Sequence, residues 1–577
     1  MSIRVYSCPF EVISNVFLRK LIMEVFFFKS EIIIIPMIFI QNIRLPITHK
    51  ENELQQSIAV LTGLPFEKAV DFTVVKRSVD SRKKRQMIYF VYSVLLSVEN
   101  ENEVIATKTI RKNSALYGIE IRAPYHYPLP RVSSDAAIRR PVIVGSGPCG
   151  LFAALVLVRA GLKPLLIERG GDIDSRMRDV SEMISAGKLN CQSNLQFGEG
   201  GAGTFSDGKL NTLITNPRIK FIFNEFVAAG APENILFEAQ PHIGTDKLRN
   251  VVKNIREQIT GMGGEVLFNT RLTDVIITGN KVSAVVLDGS REIKTDTLIL
   301  AIGHSARDTY EMLYKRNITM IQKAFSIGVR IEHKAEMINQ AQYAEFYKNE
   351  RLGPARYKLA VHSEHNRSVY TFCMCPGGYV MPAASEEGGV VTNGMSEYAR
   401  SGENSNSALL VNVGPGDFPS EHPLAGIEFQ RKLEQKAFLC GGGGFFAPVQ
   451  LVGDFLRKQP SRIIKSVTPS YRPGISPGSL DGCLPDYVLS SLREALPKLE
   501  KKLEGFAHPD AVMTAVETRS SAPVRMVRDE VSLQTNISGI YPAGEGAGYA
   551  GGIISSAADG IRVSEKIIQG LINNNSF

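Results

Sequence analysis

The sequence predicts an α/β fold: a Rossmann-like domain split by an inserted α+β domain, with a ferredoxin-like α+β module before it. Three observations support this prediction. A strand, a glycine turn, a helix and a second strand follow one another from residue 141. A second glycine turn lies between a strand and a helix at 544–552, close to the C-terminus. Between the two, residues 321–510 mix short strands, glycines and a helix, as expected of an insertion.

Composition is that of an ordinary globular protein with room for several domains, since 44% of the 577 residues are hydrophobic and 21% are charged. The net charge of +8 is modest for this size, so composition alone does not indicate a nucleic-acid-binding protein. The seven cysteines are odd in number and lack the spacing of a disulfide framework. We therefore expect a reducing, cytoplasmic location.

The apolar start of the chain, residues 1–36, is predicted to be a non-native upstream extension or a disordered segment. Charged residues such as Lys29 and Glu31 interrupt it, and its longest unbroken apolar run, 32–40, is shorter than the roughly 20 residues that cross a bilayer. Acidic residues precede this run and no small-residue cleavage site follows, which argues against a signal peptide. From Met37 the pattern changes to the partial alternation of a strand, so Met37 is the predicted start and no membrane contact is expected.

Residues 37–125 predict a small α+β module, which a proline-punctuated linker follows at 126–140. A strand opens the module, a helical pattern covers "ENELQQSIAVLTGLP", and two β-rich runs come next. The turn between those runs, 76–85, carries six basic residues. Such turns are usually solvated, and this one lacks interleaved aromatic residues, so nucleic-acid binding there is the less favoured alternative.

The turn "GSGPCG" is the first candidate ligand site. Gly145, Gly147 and Gly150 have the spacing of the dinucleotide fingerprint, and an acidic residue, Glu168, ends the next strand. The first glycine permits the tight turn, the second lets a pyrophosphate approach the backbone, and the third lets helix and strand pack closely. The helix N-terminus attracts the phosphates, and Glu168 is predicted to accept hydrogen bonds from ribose hydroxyls. A plain βαβ turn is the less favoured alternative.

The second turn, in "GIYPAGEGAGYAGG", is not an independent nucleotide site, because the chain ends before the acidic residue that such a site requires. A strand that leads to an acidic residue and then to a glycine-rich helix start suits the far half of FAD. Glu545 would hydrogen-bond the ribityl or pyrophosphate region, and the helix after Gly552 would direct its positive end at the flavin N1–C2=O edge. Both turns would then hold one FAD; a simple helix–strand contact is the alternative. The predicted cofactor-binding residues are Gly145, Ser146, Gly147, Pro148, Cys149, Gly150, Glu168, Arg169, Gly203, Gly303, Gly544, Glu545, Gly551, Gly552 and Ile553.

Five segments carry a resemblance to a known family: "VIVGSGPCGLFAALVLVRAGLKPLLIERG", "GEGGAGTFSDGKL", "TFCMCPGGYVMPAASEEGGVVTNGMS", "ETRSSAPVR" and "YPAGEGAGYAGG". Together they resemble the bacterial FAD-dependent, or NAD(FAD)-utilising, dehydrogenases, whose FAD domain looks like that of glutathione reductase. The resemblance covers nearly all of the chain from Met37. We assign the FAD domain to 141–320 and 511–577 and a substrate domain to 321–510. Glu545 departs from the Asp that is usual in the wider fold class.

Four side chains are candidates for contacts near the flavin or the substrate. By its resemblance to the loop that follows the first βαβ unit in related enzymes, "GEGGAGTFSDGKL" would place Asp207 and Lys209 beside the isoalloxazine. A surface loop with a solvated Asp–Lys pair is equally favoured. In "ETRSSAPVR", Arg519 and Arg525 would clamp a substrate carboxylate or balance the charge of the reduced flavin. A structural salt bridge from Arg519 to a local acid is at least as well supported.

Cys373 and Cys375 would face the same side of a strand, which raises a disulfide-reductase hypothesis. Their one-residue spacing and apolar neighbours favour two buried cysteines instead. No cluster of Cys and His has metal-ligand spacing, so no metal is expected. His304, His362 and His365 are candidate proton donors, and no catalytic residue is identified.

The sequence thus favours a cytoplasmic flavoenzyme that moves a hydride or two electrons between FAD and an unidentified small molecule. NAD(P)H is a candidate reductant, and it would bind only transiently because no second complete fingerprint exists. The alternative is a flavin-dependent RNA-modifying or RNA-binding protein that uses the basic turn at 76–85. A redox sensor or scaffold is a third class, and the oligomeric state is not indicated.

Overall fold

The structure is a computed structural model that describes residues 37–82, 86–123, 127–129, 131–132, 139–212, 214–364 and 366–574. The predicted extension 1–36, much of the linker 126–140, three basic residues at 83–85 and His365 lie outside the described residues. Across the described part of the chain, no helix is both long and apolar enough to cross a bilayer. Contacts within the chain define two compact units, of which the smaller takes in 37–42, 54–73 and 94–123 and the larger takes in 43–53, 74–82, 86–93 and the described residues from 127 onward.

The N-terminal module has the element order β-α-β-β-α-β, which is that of ferredoxin-like folds, with two short helices in place of the second one. Its elements are β1 (Met37–Pro46), α1 (Glu51–Thr62), β2 (Phe72–Asp80), β3 (Tyr89–Leu96), α2 (Glu101–Ile105), α3 (Lys108–Tyr117) and β4 (Glu120–Arg122). In the smaller unit β1 pairs with β4 in antiparallel register, with Ile38 opposite Ile121. The first four elements have the types that the sequence pattern predicts, whereas α2, α3 and β4 were not predicted.

A five-stranded parallel sheet forms the centre of the larger unit, in the order β7-β6-β5-β11-β23. Its strands are β5 (Val142–Val144), β6 (Leu165–Ile167), β7 (Glu265–Leu267), β11 (Leu298–Leu300) and β23 (Ile540–Pro542). In chain order this is 3-2-1-4-5, the arrangement of a Rossmann-type sheet. The three inner strands are wholly apolar and buried, as parallel strands covered on both faces must be. The fifth strand comes from near the C-terminus, so the sheet is discontinuous in sequence.

Helices pack on this sheet. They are α4 (Pro148–Arg159), α6 (Arg218–Ala228), α7 (Thr245–Gly261), α8 (Arg307–Lys315) and the C-terminal α13 (Ile553–Asn574). Helix α5 (Ile173–Ala186) packs instead against Met381 and Val391 of the inserted region. Helices α4 and α13 approach closely, because a β-carbon on Gly560 would lie 2.2 Å from the Cys149 carbonyl oxygen. A three-stranded antiparallel sheet, made of β8 (Leu272–Thr278), β9 (Lys281–Leu287) and β10 (Arg291–Lys294), lies between β7 and β11 in the chain.

The inserted region is built on a seven-stranded mixed sheet in the order β14-β15-β18-β13-β21-β19-β20. Its strands are β13 (Phe325–Lys334), β14 (Ala360–His362), β15 (Ser368–Cys375), β18 (Asn404–Val413), β19 (Ala447–Leu451), β20 (Ile475–Pro477) and β21 (Val512–Glu517). Two small ribbons accompany it, β12 (Met320–Gln322) with β22 (Val524–Met526) and β16 (Tyr379–Pro382) with β17 (Thr392–Met395). The helices are α9 (Ala335–Tyr343), α10 (Ala425–Cys440), α11 (Val452–Leu456) and α12 (Asp486–Glu500).

One predicted boundary is wrong. Residues 511–577 were assigned to the FAD domain, but their first strand, β21, belongs to the seven-stranded sheet, where Ile331 lies opposite Met513. The strand is buried along its whole length between β13 and β19. Its partners lie far away in sequence, so local pattern alone could not assign it.

Candidate cofactor and substrate site

A cavity of about 910 Å³ lies in the larger unit, where the carboxyl ends of the parallel strands face the seven-stranded sheet. Val144 and Ile167, the last residues of β5 and β6, line it on one side, and Cys373 and Glu517 line it on the other. Open α/β sheets bind their ligands at this edge. The volume lies in the upper part of the range of about 300–1,000 Å³ that is usual for ligand pockets.

The first glycine turn can be made only by glycine at two of its positions. Gly145 has φ +100°, and a β-carbon there would lie 2.3 Å from the Ala301 carbonyl oxygen. A β-carbon on Gly150 would lie 1.8 Å from the carbonyl oxygen of Gly145. These contacts bring the start of α4 against the strand ends, and Gly147 and Pro148 at that helix start line the cavity. The roles predicted for the first and third glycines agree with this geometry.

Glu168 holds the turn together. Its Oε2 accepts hydrogen bonds from the Ser146 N–H (2.9 Å) and hydroxyl (2.8 Å), and its Oε1 accepts from the N–H groups of Gly170 (3.0 Å) and Gly198 (2.9 Å). A carboxylate has about four acceptor positions, so protein donors already use all of them. Binding of ribose hydroxyls by Glu168 stays a prediction. It requires those hydroxyls to share the carboxylate oxygens with the protein donors that already bind them.

Arg169, the other predicted cofactor residue at this strand end, lines the cavity beside Glu168. Its Nη2 donates to Asp308 Oδ1 (2.7 Å) and to the Thr309 hydroxyl (3.0 Å), and its guanidinium lies 4.4 Å from the ring centroid of Phe197. These partners hold the Arg169 side chain along the cavity wall, so it is not free to cover a ligand.

The second glycine turn lies against the first. Gly544 has φ +74°, and a β-carbon there would stand 2.9 Å from the Cβ of Cys149. A β-carbon on Gly546 would lie 2.4 Å from the Gly303 carbonyl oxygen. Buried Tyr310 joins the same two segments, because its hydroxyl donates to the carbonyl oxygens of Gly546 (2.5 Å) and Gly303 (3.1 Å). No sequence signal indicated this role of Tyr310.

Missing β-carbons also leave room for a ligand. At Gly303 and Gly551, both of which line the cavity, an added β-carbon would have no atom within 4 Å. At Gly552 the nearest atom would be the Ser555 hydroxyl oxygen at 4.0 Å. Helix α13 begins here, so its first backbone N–H groups and those of α4 border the same space, as a long anionic ligand such as FAD requires. The residues present therefore fit FAD.

Glu545 lines the cavity between the two helix starts. Burial raises the pKa of this carboxyl to about 7; the Lys323 charge opposes that shift and Cys373 adds to it. Near neutral pH a large share of Glu545 is therefore protonated and can donate a hydrogen bond to a ligand.

The predicted cofactor residues that line the cavity are Gly145, Gly147, Pro148, Cys149, Glu168, Arg169, Gly203, Gly303, Glu545, Gly551, Gly552 and Ile553. Ser146, Gly150 and Gly544 belong to the turns but shape them from behind, through the contacts described above. Their assignment as FAD ligands stays a prediction.

Asp207 and Lys209 both line the cavity, but the alternative of a solvated surface pair is wrong for Asp207, which is fully buried. Arg400 donates to both Asp207 oxygens (2.9 and 2.5 Å), Ser396 donates its hydroxyl, and the Lys209 ammonium lies 3.4 Å away. Burial alone would raise the pKa of Asp207, but the two cations and these hydrogen bonds hold it well below its usual range. Asp207 is thus a permanent anion that anchors Lys209 at the cavity wall.

Arg519 is held by a buried acid, so the salt-bridge alternative is confirmed. Its Nε and Nη2 donate to the two oxygens of Glu434 (3.0 and 2.9 Å), and its Nη1 donates to the hydroxyls of Ser305 (3.1 Å) and Ser385 (2.5 Å). Most of its donors are therefore used, although the side chain borders the cavity. The proposed clamp on a substrate carboxylate is incompatible with this geometry unless Glu434 is released.

The other predicted groups contribute less to the cavity. Arg525 lies behind Gly548, to whose carbonyl oxygen its Nη2 donates (3.3 Å), and it is not among the lining residues. His304 lines the cavity, but burial and the charges of Arg519 and Arg307 lower its pKa to about 3, so it is neutral at ordinary pH. His362 ends the edge strand β14, away from the cavity.

Glu517, which the sequence analysis did not single out, is a titratable group on the substrate side of the cavity. It is buried at the end of β21, and its Oε2 lies 3.0 Å from Arg330 Nε. Burial raises its pKa to about 8; Arg330 opposes the shift and Cys373 adds to it. Its only sequence signal is its place as the first residue of "ETRSSAPVR".

The basic turn at 76–85 is partly neutralised. Arg77 forms an ion pair with Glu238, and Arg82 donates from Nε and Nη2 to the two oxygens of Asp80 (2.9 and 2.8 Å). The hydrogen bond from Arg82 lowers the pKa of Asp80 to about 2, so this pair persists at physiological pH. Residues 83–85 lie outside the described residues.

Comparison with known families yields two matches. Residues 324–520 match the family model described as "FAD-dependent protein, C-terminal domain-like", and residues 37–97 match a domain of unknown function. A protein of Clostridium beijerinckii, described as "Uncharacterized protein", is 47% identical over 532 residues, which covers 92% of this chain and 98% of that protein. The match over the seven-stranded sheet supports FAD as the cofactor of this cavity.

The chain also matches solved flavoenzymes, at low identity and low TM-score. Halogenase PltM in complex with phloroglucinol and FAD is 12% identical, with a TM-score of 0.36 over 76% of this chain and 70% of that one. Flavin-dependent brominase Bmp2 is 14% identical, with a TM-score of 0.33 over 75% and 80%. Glycine oxidase from Bacillus cereus is 11% identical, with a TM-score of 0.30 over 75% and 97%. At such low scores we transfer neither residue roles nor activities from them.

Proposed function

We propose that this chain, which belongs to the same protein family as the Clostridium beijerinckii protein, is an FAD-dependent oxidoreductase. It exchanges a hydride or two electrons with a small molecule, and NAD(P)H is the proposed reductant. The observation that carries the proposal is the meeting of two glycine turns, far apart in sequence, at one cavity of ligand size. A long cofactor with separate adenosine and flavin ends explains why both turns are needed.

The two ends of the cofactor are assigned by the surrounding residues. The turn at 145–150 with Glu168 would take the adenosine and pyrophosphate end, where the start of α4 supplies backbone N–H donors. The turn at 544–552 would take the flavin end, where the start of the 22-residue helix α13 places its positive end. Protonated Glu545 would donate a hydrogen bond between the two, without adding a charge beside the pyrophosphate.

Bound FAD would supply the hydride or two-electron step. The chain's own groups would position the substrate and move protons on the side of the inserted sheet. Glu517 would hold its proton on Oε1, because Oε2 faces the Arg330 guanidinium, and its raised pKa suits proton exchange near neutral pH. Lys209, anchored by Asp207, would offer a fixed cation to an anionic substrate.

The alternative of RNA binding or modification rests on the turn at 76–85. Two of its arginines, Arg77 and Arg82, are engaged in ion pairs with carboxylates of this chain. No observation on the described residues favours that function over the oxidoreductase.

A cavity-filling variant tests the proposal. Gly551→Leu adds a side chain in the open space at the start of α13, whereas Gly570→Leu adds the same side chain at an exposed site of the same helix that also has no atom within 4 Å. We expect native protein and Gly570→Leu to purify yellow and to bleach with NADH or NADPH without oxygen, and Gly551→Leu to be folded but colourless. Native protein that binds no FAD would overturn the proposal. Equal FAD content in the two variants would show that FAD does not bind in this cavity.

A further inference from the structure

A pair of free thiols lies where β15 reaches the cavity. Regular strands place residues i and i+2 on one face, but here the pairing with β18 shifts: Phe372 is opposite Ala408, and Cys375 is opposite Asn406. Three residues of β15 therefore extend over the space of two residues of β18, which is a bulge. Cys373 lies in the bulge with φ +44°, a left-handed conformation that is uncommon for a residue other than glycine.

The bulge gives the two cysteines different surroundings. Cys373 is partly exposed and lines the cavity, whereas Cys375 is fully buried beneath it. The Cys375 thiol donates a hydrogen bond to the Cys373 carbonyl oxygen (3.3 Å). The bulge thus places Cys373 at the cavity wall and leaves Cys375 buried.

Two cations border the pair. Lys209 Nζ lies 4.0 Å from Cys375 Sγ and donates to the Met374 carbonyl oxygen. Arg330 Nη1 donates to the Cys373 carbonyl oxygen (2.9 Å), and this arginine is fully buried. Positive groups of this kind stabilise a thiolate over a thiol.

The thiols are therefore polarised against each other. The interaction with the Cys375 side chain lowers the pKa of the Cys373 thiol against the opposing effect of burial, and the charges of Lys209 and Arg330 lower it further. The interaction with Cys373 and burial raise the pKa of Cys375. A cysteine at the cavity wall beside a buried one is the arrangement of an attacking and a resolving cysteine.

We propose that Cys373 and Cys375 are a redox-active pair that cycles between two thiols and one disulfide, and that the substrates of the cavity include thiol–disulfide compounds. It takes up the disulfide-reductase hypothesis in place of the interpretation of the pair as two buried cysteines. It deepens the proposed function and rests on it for the electron partner, because the flavin would exchange two electrons with the pair.

The chemistry balances within the pair and its substrate. The Cys373 thiolate attacks a substrate disulfide, forming a mixed disulfide and releasing one substrate thiolate. The Cys375 thiol then loses its proton and attacks Cys373 Sγ, which forms the Cys373–Cys375 bond and releases the second substrate thiolate. The pair has lost two electrons and the substrate disulfide has gained them. Two electrons and a proton from a donor of the reduced-flavin class restore the thiolate and the thiol.

Cys440 and Cys483 provide a matched comparison. They are a second neighbouring pair, with Cys440 exposed and Cys483 buried, and neither lines the cavity. Burial and the neighbouring Cys440 raise the pKa of Cys483, which disfavours its thiolate. An oxidant that acts on any close pair of thiols should therefore oxidise both pairs equally. If Cys373 is the more acidic thiol, the Cys373–Cys375 pair should react first.

The test uses the full chain and reads the thiols by mass. Trypsin should release residues 368–400 as one peptide, which contains Cys373 and Cys375 and no other cysteine. Protein is treated with glutathione disulfide at pH 7, quenched with acid and alkylated. We expect this peptide to lose the mass of two hydrogens before the Cys440–Cys483 pair reacts, and dithiothreitol to reverse the change. In Cys373→Ser and Cys375→Ser the loss should disappear, leaving one alkylated or glutathionylated cysteine.

A second measurement does not depend on forming the bond. The rate of iodoacetamide reaction at Cys373 should rise at a pH below the ordinary thiol value of 9 in native protein, and Cys375→Ala should move that midpoint toward 9. A peptide 368–400 that keeps two free thiols while the Cys440–Cys483 pair oxidises would overturn the inference, as would an unchanged midpoint. Absorbance of bound FAD in the same sample separates the outcomes: a disulfide without FAD refutes the proposed function alone, and FAD without a disulfide refutes the thiol pair alone.

Discussion

Cys149 of the first glycine turn lies directly against Gly544 of the second, where an added β-carbon would stand 2.9 Å from the Cys149 Cβ and 3.0 Å from its sulfur. The two positions are almost four hundred residues apart, yet they set how closely α4 and α13 approach. That approach brings two helix starts to the same cavity.

Gly544→Ala should destabilise the fold by about 1–3 kcal/mol, because the new methyl group overlaps Cys149 and alanine is strained at φ +74°. Gly289→Ala is the matched control, since Gly289 has φ +81° and no atom within 4 Å of an added β-carbon. Urea denaturation followed by circular dichroism measures both. Equal losses in the two variants would mean that the contact between the turns contributes nothing.

FAD affinity should fall as pH rises through about 7, because ionised Glu545 places a negative charge beside the pyrophosphate. The Kd for FAD should rise by up to about tenfold between pH 6 and pH 8. A tenfold rise corresponds to a shift of one unit in the pKa of Glu545 when FAD binds. Fluorescence titration of deflavinated protein measures it. Glu545→Gln should flatten the profile, and Glu292→Gln, at an exposed position on β10, should not.

The same carboxyl makes unfolding pH-dependent. Its folded-state pKa of about 7 lies above the ordinary value of 4.5, so the folded protein holds this proton more tightly than the unfolded chain does. The resulting loss of unfolding free energy is absent below pH 4.5, grows between pH 4.5 and 7, and is complete above pH 7. Stability of the native protein minus that of Glu545→Gln should therefore decline across this window, and a difference that rises with pH would contradict the assignment.

Arg519→Met should destabilise the protein by about 3 kcal/mol or more, because it leaves Glu434 buried with one arginine fewer. Arg316→Met, which breaks a half-exposed pair with Asp274, should cost less than about 1 kcal/mol. Thermal denaturation compares the two variants. Unchanged stability of Arg519→Met together with a raised KM for an anionic substrate would restore the substrate-clamp role of Arg519.

Tyr310→Phe should weaken FAD binding as well as the fold, because the carbonyl oxygens of Gly303 and Gly546 lose their shared donor. We expect a stability loss of about 1–3 kcal/mol. Tyr471→Phe is the matched control, as its buried hydroxyl donates to the Phe445 carbonyl oxygen (2.9 Å) outside the cavity. It should cost similar stability and leave the Kd for FAD unchanged; equal effects of both variants on the Kd would contradict the role of Tyr310.

Much of the cofactor side could be predicted from sequence because its signals are local. Gly145, Gly150 and Glu168 lie within one βαβ unit, so their spacing alone fixes the turn and its acidic residue. The second turn could be predicted for the same reason. Even there, the sequence did not reveal that Glu168 accepts hydrogen bonds from Gly170 and Gly198, because those donors lie in a loop without a repeating pattern.

The substrate side could not be predicted, because its contacts join segments that are distant in the chain. Glu434, the partner of Arg519, lies on α10, and β21 lies between β13 and β19, which are both distant from it in sequence. The exposure of Cys373 depends on a bulge, which alternation of side chains along a regular strand does not anticipate. These features depend on contacts between distant segments, and no local sequence pattern indicates such contacts.

Hydrogen–deuterium exchange with and without FAD tests most directly whether both turns hold one cofactor. Deflavinated protein is compared with protein reloaded to one FAD per chain, and peptides that contain 145–150 and 544–552 are followed together. We predict that both become protected at the same FAD concentration, whereas the exposed turn at Gly289 does not change. Protection of one turn without the other, or of neither at full FAD occupancy, would contradict the shared site.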